Sequence, residues 1–273
     1  MVRMKVTFVT VCYRTPHLIR NLLKGVEAAR FPFPYEYIVV DNGGDTADMV
    51  REQFPWATVI SGQGNVGFGA GNNLAFRAAQ GEFVMLVNPD LTIFPGEMEK
   101  LIAFAESRPD VGIVGPRLLN PNKTVQRTYH RFPHPLIPVY RRTLFGRTAR
   151  GQRAIDWYFM ADADASAPLH VDGLFGAAML IRKRALEEVG HFDERFFMYF
   201  EDVDLCRRSW EKGWKVCYAP VAEFVHYHQR ESDVKYPWQA IMNRTSRAHI
   251  ASAVQYFLKY RGKPLPTREP SDA

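Results

Sequence analysis

The chain has 273 residues, enough for one large α/β domain or two small ones, and 47% of them are apolar, so a sizeable core can form without staples. Three scattered cysteines, Cys12, Cys206 and Cys217, argue against a disulfide framework, lack metal-ligand spacing and favour a reducing compartment. The net charge is +6, and no run reaches the ~18 apolar residues of a membrane span, so a soluble or peripheral protein is expected. Residues 1–11 have two early basic residues but only a short apolar run broken by threonines, which reads as a first strand and not as a signal peptide. Strands are expected over Lys5 to Val11, Tyr35 to Val40, Thr58 to Ser61, Phe83 to Val87 and Val111 to Val114. Helices alternate with them over Leu18 to Ala29, Thr46 to Phe54, the segment opened by Gly62 to Gly71 and running to Ala79, and Pro95 to Ser107, with Pro95 in the first turn. Periodicity fades from Asn120 to Ala167, and a loop this long is usually functional or mobile. Regular structure returns with a strand over Ala177 to Ile181, helices over Lys183 to Val189 and Asp202 to Lys212, and a strand over Trp214 to Tyr218. An amphipathic helix over Trp238 to Tyr260 precedes a tail, Lys263 to Ala273, expected to be disordered.

The leading β-α-β alternation predicts a mainly parallel sheet with helices on both faces, whose ligands bind beyond the carboxyl ends of the strands. Cys12-Tyr13-Arg14, Asp41 and Asn88-Pro89-Asp90 all fall at such ends. Asp90 suits a hard divalent cation, which takes one or two carboxylates plus substrate phosphates, while a turn residue is the plain alternative. Asp41 could accept a hydrogen bond from a pyrimidine imide, or it could shape an Asx turn with Asn42-Gly43. The run Asn65-Val66-Gly67-Phe68-Gly69-Ala70-Gly71-Asn72-Asn73 could bring backbone amides to an anion at a helix start, or be a tight turn with asparagine caps; it lacks the ending of a P-loop.

Glu201, Asp202 and Asp204 open a helix, where negative charge is favoured by the dipole. Positions 201 and 204 share a face and 202 points elsewhere, which makes Asp202 the candidate general base with Glu201 assisting. His226 and His228 would lie on one side of an extended segment, with His226 a candidate ligand beside Asp90. Seven arginines between Arg127 and Arg153 are interleaved with Tyr129, Phe132, Tyr140 and Phe145. That pattern suits an anionic membrane surface or a polyphosphate lipid better than nucleic acid, with a solvated loop as the alternative. Arg141 and Arg142 are the residues chosen to test membrane contact.

Four blocks in this order resemble glycosyltransferase family two, with its GT-A fold, and most closely the rhamnosyltransferase-like branch. They are Ile38-Val39-Val40-Asp41-Asn42, the run 65–73, Val87-Asn88-Pro89-Asp90, and the long stretch from Gly190 to Cys206; Val114 to Pro121 and His226 also fit. The resemblance implies a Rossmann-like, mixed but mainly parallel sheet with a C-terminal helical extension. It divides the chain into a glycosyltransferase domain, 1–230, and a helix and tail, 231–273. Within the domain lie a nucleotide-binding half (1–118), a variable basic loop (119–170) and an acceptor and catalytic half (171–230).

The same resemblance implies inverting transfer, with Mg²⁺ or Mn²⁺, from a dTDP- or UDP-sugar, rhamnose by preference. The acceptor would be a glycan or a lipid-diphosphate-linked saccharide at the inner face of the cytoplasmic membrane. Asp90 and His226 would hold the metal and Asp202 would be the base. Thr10, Cys12, Tyr13, Arg14, Asp41, Asn65, Gly67, Asn72, Asn88, Pro89 and Gly176 would bind the donor, with Gly176 lining the sugar pocket near Asp172. Asn88 stands where many members carry Asp, and His191 where a second Gly is usual. The rival readings are a sugar nucleotidyltransferase, which would release pyrophosphate, and a carbohydrate- or membrane-binding module without turnover.

Overall fold

A computed structural model of the protein describes residues 3–227 and 244–266. The first half alternates β1 (Val6–Cys12), α1 (Pro16–Ala29), β2 (Tyr35–Asp41), α2 (Ala47–Gln53), β3 (Thr58–Ser61), α3 (Phe68–Ala78) and β4 (Phe83–Val87). Then follow β5 (Leu91–Ile93), α4 (Glu97–Ser107), β6 (Val111–Leu119), and the short β7 (Val125–Gln126) and β8 (Tyr129–His130). An inserted helical hairpin contains α5 (Ile137–Arg142), a 3₁₀ turn (Leu144–Arg147) and α6 (Ala149–Tyr158). The second half contains β9 (Leu169–His170), β10 (Gly173–Leu174), β11 (Ala178–Arg182), α7 (Lys183–Val189), α8 (Glu201–Glu211), β12 (Lys215–His226) and α9 (Arg244–Lys259).

The main sheet runs β3-β2-β1-β4-β11-β6-β12-β5. β1, β2, β3 and β4 are mutually parallel, as are β6 and β12, whereas β11 is antiparallel to both β4 and β6. The sheet is therefore mixed and mainly parallel, as expected. Both faces are buried, and successive residues serve opposite cores. Val6, Phe8, Val39 and Met85 pack with α1 and α4 on one side. Val9, Ile38, Val40 and Leu86 pack with α3 and α8 on the other. This is why β2 and β4 read as continuous apolar runs.

The β1–β2 register pairs Cys12 with Asp41, and β11 enters antiparallel with Ala178 opposite Val87. The carboxyl ends of β1, β2 and β4 and the start of β11 thus share one edge. Helix α9 joins the second core through Ala253, Tyr256 and Tyr260, with the Tyr256 ring 5.3 Å from that of Phe200.

Several boundaries differ from expectation. Pro95 is not in the first turn of α4: Gly96, at φ 84°, caps a helix that starts at Glu97. β6 continues past Gly115-Pro116 to Leu119, because Pro116 lies on a parallel pairing with Ala219 that its missing N–H does not break. β12 runs on through an irregularity between Ala219 and Glu223 to reach His226. The segment expected to be a loop, 120–167, carries the α5–α6 hairpin, whose second helix is capped by the Thr148 hydroxyl accepting from the Gly151 N–H at 3.1 Å. Helix positions 238–243, the histidine at 228 and the tail beyond 266 lie outside the described residues.

Candidate active site

Strand β4 ends in Asn88-Pro89-Asp90 at the shared sheet edge. The Asn88 N–H donates to the Ala177 carbonyl at 2.9 Å, and the N–H of the preceding Gly176 donates to Asp202 Oδ2, also at 2.9 Å. Two acidic segments more than a hundred residues apart are thus tied to one dipeptide, 176–177. Gly176 sits under Phe68, and a Cβ there would crowd the Phe68 ring at 3.2 Å and touch Asp202 Cβ at an ordinary 3.6 Å.

Asp202 occupies the first turn of α8 and is buried. Its other oxygen accepts the Val203 N–H at 2.8 Å. Burial raises its pKa, and the two amides together with the Arg141 guanidinium pull it back. Its neighbour Glu201 is also buried, and its Oε2 has no hydrogen-bond partner among the described residues. Desolvation, then the Asp202 charge, raise the Glu201 pKa well above the ordinary carboxyl value. The environments separate two adjacent carboxyls, one kept protonated and one supplied with donors that favour its anion. Asp204 points away from both. It is fully buried and binds Arg208 Nε at 2.8 Å, the Lys259 ammonium and the Tyr260 hydroxyl, locking α8 to α9.

Asp90 meets His226 as expected, with Oδ1 3.3 Å from His226 Nε2. β12 delivers the histidine by pairing it with Leu91, and the Tyr227 N–H donates to the Asp90 carbonyl at 2.9 Å. Gln126 fixes the imidazole. Its amide nitrogen donates to the carbonyl of His226 at 2.9 Å and to Asn120 Oδ1 at 2.8 Å, so its Oε1 must accept from His226 Nδ1, 2.8 Å away. Nδ1 therefore carries a proton, and Nε2 faces a carboxylate. A cation or a second proton between the two makes that approach favourable. One carboxylate and one imidazole form a two-donor seat, which fits a divalent ion completed by phosphate oxygens. No cluster of three or more such side chains occurs among the described residues.

The donor-side residues divide. Tyr13 and Arg14 stay at the surface, with the guanidinium 5.2 Å from the Tyr13 ring, and Gly43 lies against the Arg14 backbone. Asn88 and Pro89 are half-buried at the edge. Thr10 is fully buried and donates to the Val87 carbonyl at 2.7 Å, so Tyr37 OH must donate to it. Cys12 is buried, and desolvation pushes its thiol up to about 12. Both belong to the core and present no side chain to a ligand, which corrects their assignment as donor contacts.

Asp41 is buried too. Its Oδ1 accepts from the N–H groups of Gly43 (2.9 Å) and Gly44 (2.8 Å), and its Oδ2 from those of Thr46 and Ala47, both at 2.8 Å. Four donors fill a carboxylate's acceptor sites, so Asp41 builds the turn into α2.

The glycine-rich run is a packing joint. The Phe68 N–H, first in α3, donates to the Phe197 carbonyl at 2.9 Å. A Cβ on Gly67, at φ 92°, would lie 2.2 Å from that carbonyl oxygen. Asn65 Oδ1 accepts the Gly67 N–H at 3.1 Å. Asn72, buried, donates to the Phe68 carbonyl at 2.9 Å, and Asn73 bonds both ways with the Phe192 backbone, at 2.9 and 3.0 Å. Glycines and asparagines here seat the loop before α8, and so place Asp202. This corrects the reading of Asn65, Gly67 and Asn72 as an anion cradle.

Two groups escaped the sequence reading. Gln126 gave no signal, since a lone glutamine in a weakly periodic segment has none. Arg141, expected at a membrane surface, has its guanidinium 5.6, 5.1 and 5.9 Å from the rings of Tyr158, Phe159 and Phe175, within electrostatic reach of Asp202.

The sequence profile of glycosyltransferase-like family 2 matches residues 3–248. An N-acetylglucosaminyl-diphospho-decaprenol L-rhamnosyltransferase of Mycobacterium tuberculosis is 28% identical over 242 residues, 78% of this chain and 72% of that one. The rhamnosyltransferase WbbL of Escherichia coli is 24% identical over 235 residues, 83% of each chain. Among solved structures, GalNAc-T7 with UDP, GalNAc and Mn²⁺ matches with a TM-score of 0.66 at 11% identity, covering 95% of this chain, which spans 48% of that one. The mannosyltransferase PcManGT of Pyrobaculum calidifontis, with GDP-Man and Mn²⁺, matches at 0.60 and 20% identity over 97% of this chain and 66% of that one. The fold is the GT-A fold, and the chain belongs to glycosyltransferase-like family 2.

Proposed function

We propose that this family 2 transferase moves a hexose, rhamnose by kinship, from a dTDP- or UDP-sugar to a hydroxyl of a lipid-diphosphate-linked glycan, with inversion. The observation that carries the reading is the dipeptide 176–177, which holds Asp202 through one hydrogen bond and the Asp90 segment through the next. Asp202 takes the acceptor hydroxyl proton as that oxygen bonds to the anomeric carbon. The bond from that carbon to the donor phosphate oxygen breaks with its electron pair, and the nucleoside diphosphate leaves from the opposite face. A divalent ion bound by Asp90 and His226 would supply neutralising charge for the diphosphate. Gln126 would orient His226. Tyr13, Arg14, Asn88, Pro89 and the backbone of the Asp41 turn would form the donor's rim.

The hairpin insert supports action at a membrane surface. Leu144 and Phe145, in its 3₁₀ turn, are 67% and 65% exposed, with Val139 and Trp157 also outside. Arg147, Arg150 and Arg153 are exposed beside them, and no carboxylate ion-pairs with any of the three among the described residues. An apolar tip ringed by unpaired arginines suits an anionic bilayer interface. No described helix is long and apolar enough to cross a membrane.

The deciding experiment incubates the protein with dTDP-rhamnose, or a panel of UDP- and dTDP-hexoses, a prenyl-diphosphate-linked saccharide and Mn²⁺ or Mg²⁺. Release of nucleoside diphosphate with one new glycosidic bond of inverted configuration is expected. Pyrophosphate release would identify a nucleotidyltransferase, and binding without turnover a non-catalytic module; either result would overturn the proposal.

A further inference from the structure

We infer that Arg141 binds the diphosphate of the acceptor, on the side of Asp202 away from the Asp90–His226 seat. The inference rests on the transferase reading above and names a contact within it.

The guanidinium lies against an aromatic floor formed by Tyr158, Phe159 and Phe175, at 5.1–5.9 Å from the ring centres. The floor is itself backed by His130, whose buried ring lies 5.0 Å from Tyr158 and 4.9 Å from Phe175. The hairpin carrying Arg141 is closely built: a Cβ on Gly146 would meet the Tyr140 carbonyl oxygen at 2.0 Å, and one on Gly151 the Phe145 carbonyl oxygen at 2.1 Å. The three rings and a hydrogen-bonding interaction with the Tyr158 side chain hold the guanidinium, whose five N–H donors leave others for a phosphate. No carboxylate stands at ion-pair distance from Arg141 among the described residues, although the residue is exposed and charged. A guanidinium held against aromatic rings, within electrostatic reach of Asp202 and without a carboxylate at ion-pair distance among the described residues, is suited to a substrate anion.

Position decides which anion. Along residues 175–177, Phe175 contacts Arg141, Gly176 donates to Asp202, and Ala177 accepts from Asn88, two residues before Asp90. Along this stretch the contact to Asp202 falls between the contact to the arginine and the one to the Asp90 segment. Inverting displacement needs the acceptor oxygen and the leaving diphosphate on opposite faces of the sugar. With the donor diphosphate toward Asp90, the arginine falls to the acceptor. An acceptor whose reactive sugar is joined directly to a lipid diphosphate carries an anion close to its hydroxyl. Tyr158 is fully buried under the guanidinium, and burial raises its phenol pKa, so the floor stays neutral and adds no competing negative charge.

The test compares wild type, Arg141→Gln and Arg141→Lys on two acceptors bearing the same saccharide, one on a short prenyl diphosphate and one on a neutral alkyl chain. The glutamine variant is expected to raise KM for the diphosphate acceptor by about 10- to 100-fold more than for the neutral one, the worth of charge-assisted hydrogen bonds. Lysine should recover part of it, being a point charge and not a fork. Equal losses on both acceptors would mean that Arg141 acts through Asp202 or the fold and would overturn the inference. So would no loss, or a loss confined to the KM of the nucleotide sugar, which would assign the arginine to the donor diphosphate. If wild type glycosylates neither acceptor, the transferase reading fails. Titration of farnesyl diphosphate into wild type and Arg141→Gln then still decides, with at least about tenfold weaker binding in the variant expected and equal binding refuting.

Discussion

Replacing Asp202 by asparagine removes the proposed base while keeping its shape, and the two hydrogen bonds to that carboxylate allow the side effects to be worked out. Oδ2 accepts from Gly176 at 2.9 Å and Oδ1 from Val203 at 2.8 Å. An amide has one oxygen, so one of these N–H donors must face an NH₂ group, a loss of about 1–3 kcal/mol for a buried unsatisfied donor. Removing a buried charge beside Glu201 works in the opposite direction. The net destabilisation should stay near about 1 kcal/mol, a fall in Tm of roughly 2–4 °C for a domain of this size. Loss of a positioned general base lowers turnover by about 10²–10⁴-fold, or roughly 3–5 kcal/mol of barrier. Steady-state kinetics and nucleotide-sugar titration at 25 °C therefore should show kcat collapsing while donor affinity holds. In the wild type the acid limb of kcat should lie above the ordinary aspartate value of 3.8, because burial raises this carboxyl. Asp204→Asn is the control on the same helix. It breaks the contacts to Arg208, Lys259 and Tyr260 and should lower Tm more than Asp202→Asn does, with a smaller effect on kcat. Turnover of Asp202→Asn within about threefold of wild type would refute the assignment of the base.

Three further outcomes follow from the same geometry. Glu201 keeps its proton in the fold above the ordinary value of 4.5 while the unfolded chain releases it there, so its burial lowers stability as pH rises past 4.5. Glu201→Gln should melt higher than wild type at pH 8 and at the same temperature near pH 4; parallel melting curves across that range would show that Glu201 is not held neutral. Gln126→Leu removes the acceptor that fixes the His226 tautomer and should weaken Mn²⁺ binding in the presence of nucleotide by about 10- to 100-fold, measured by calorimetry, with unchanged affinity counting against the metal seat. Leu144→Glu with Phe145→Glu should abolish sedimentation with vesicles containing anionic lipid, since both side chains are largely exposed and each charge opposes insertion; retained sedimentation would place the membrane contact elsewhere.

The elements with strong local periodicity were legible in the sequence. β3, β4 and α7 occupy the residues expected of them, because a short β-branched edge strand, a buried parallel strand and an amphipathic helix reveal themselves through their own residue pattern. The acids of α8 were legible as a group, but the two that helix spacing puts on one face have different surroundings: Glu201 Oε2 has no hydrogen-bond partner among the described residues, whereas Asp204 binds Arg208, Lys259 and Tyr260. The insert was not legible. Its α5–α6 hairpin depends on two glycines that allow close backbone approach and on packing beneath Phe175, and neither leaves a periodic trace.

Residue type and spacing alone therefore determined the parallel half-sheet, its functional edge, and Asp90, His226 and Asp202 as the residues of interest. Only the tertiary structure decided which donors and charges surround each carboxylate. Asp41 and Asp202 both end or begin an element at that edge, yet four backbone amides occupy one and two amides plus a distant guanidinium attend the other. A carboxylate's role is set by the donors and charges around it, and those come from segments that are neighbours only after folding.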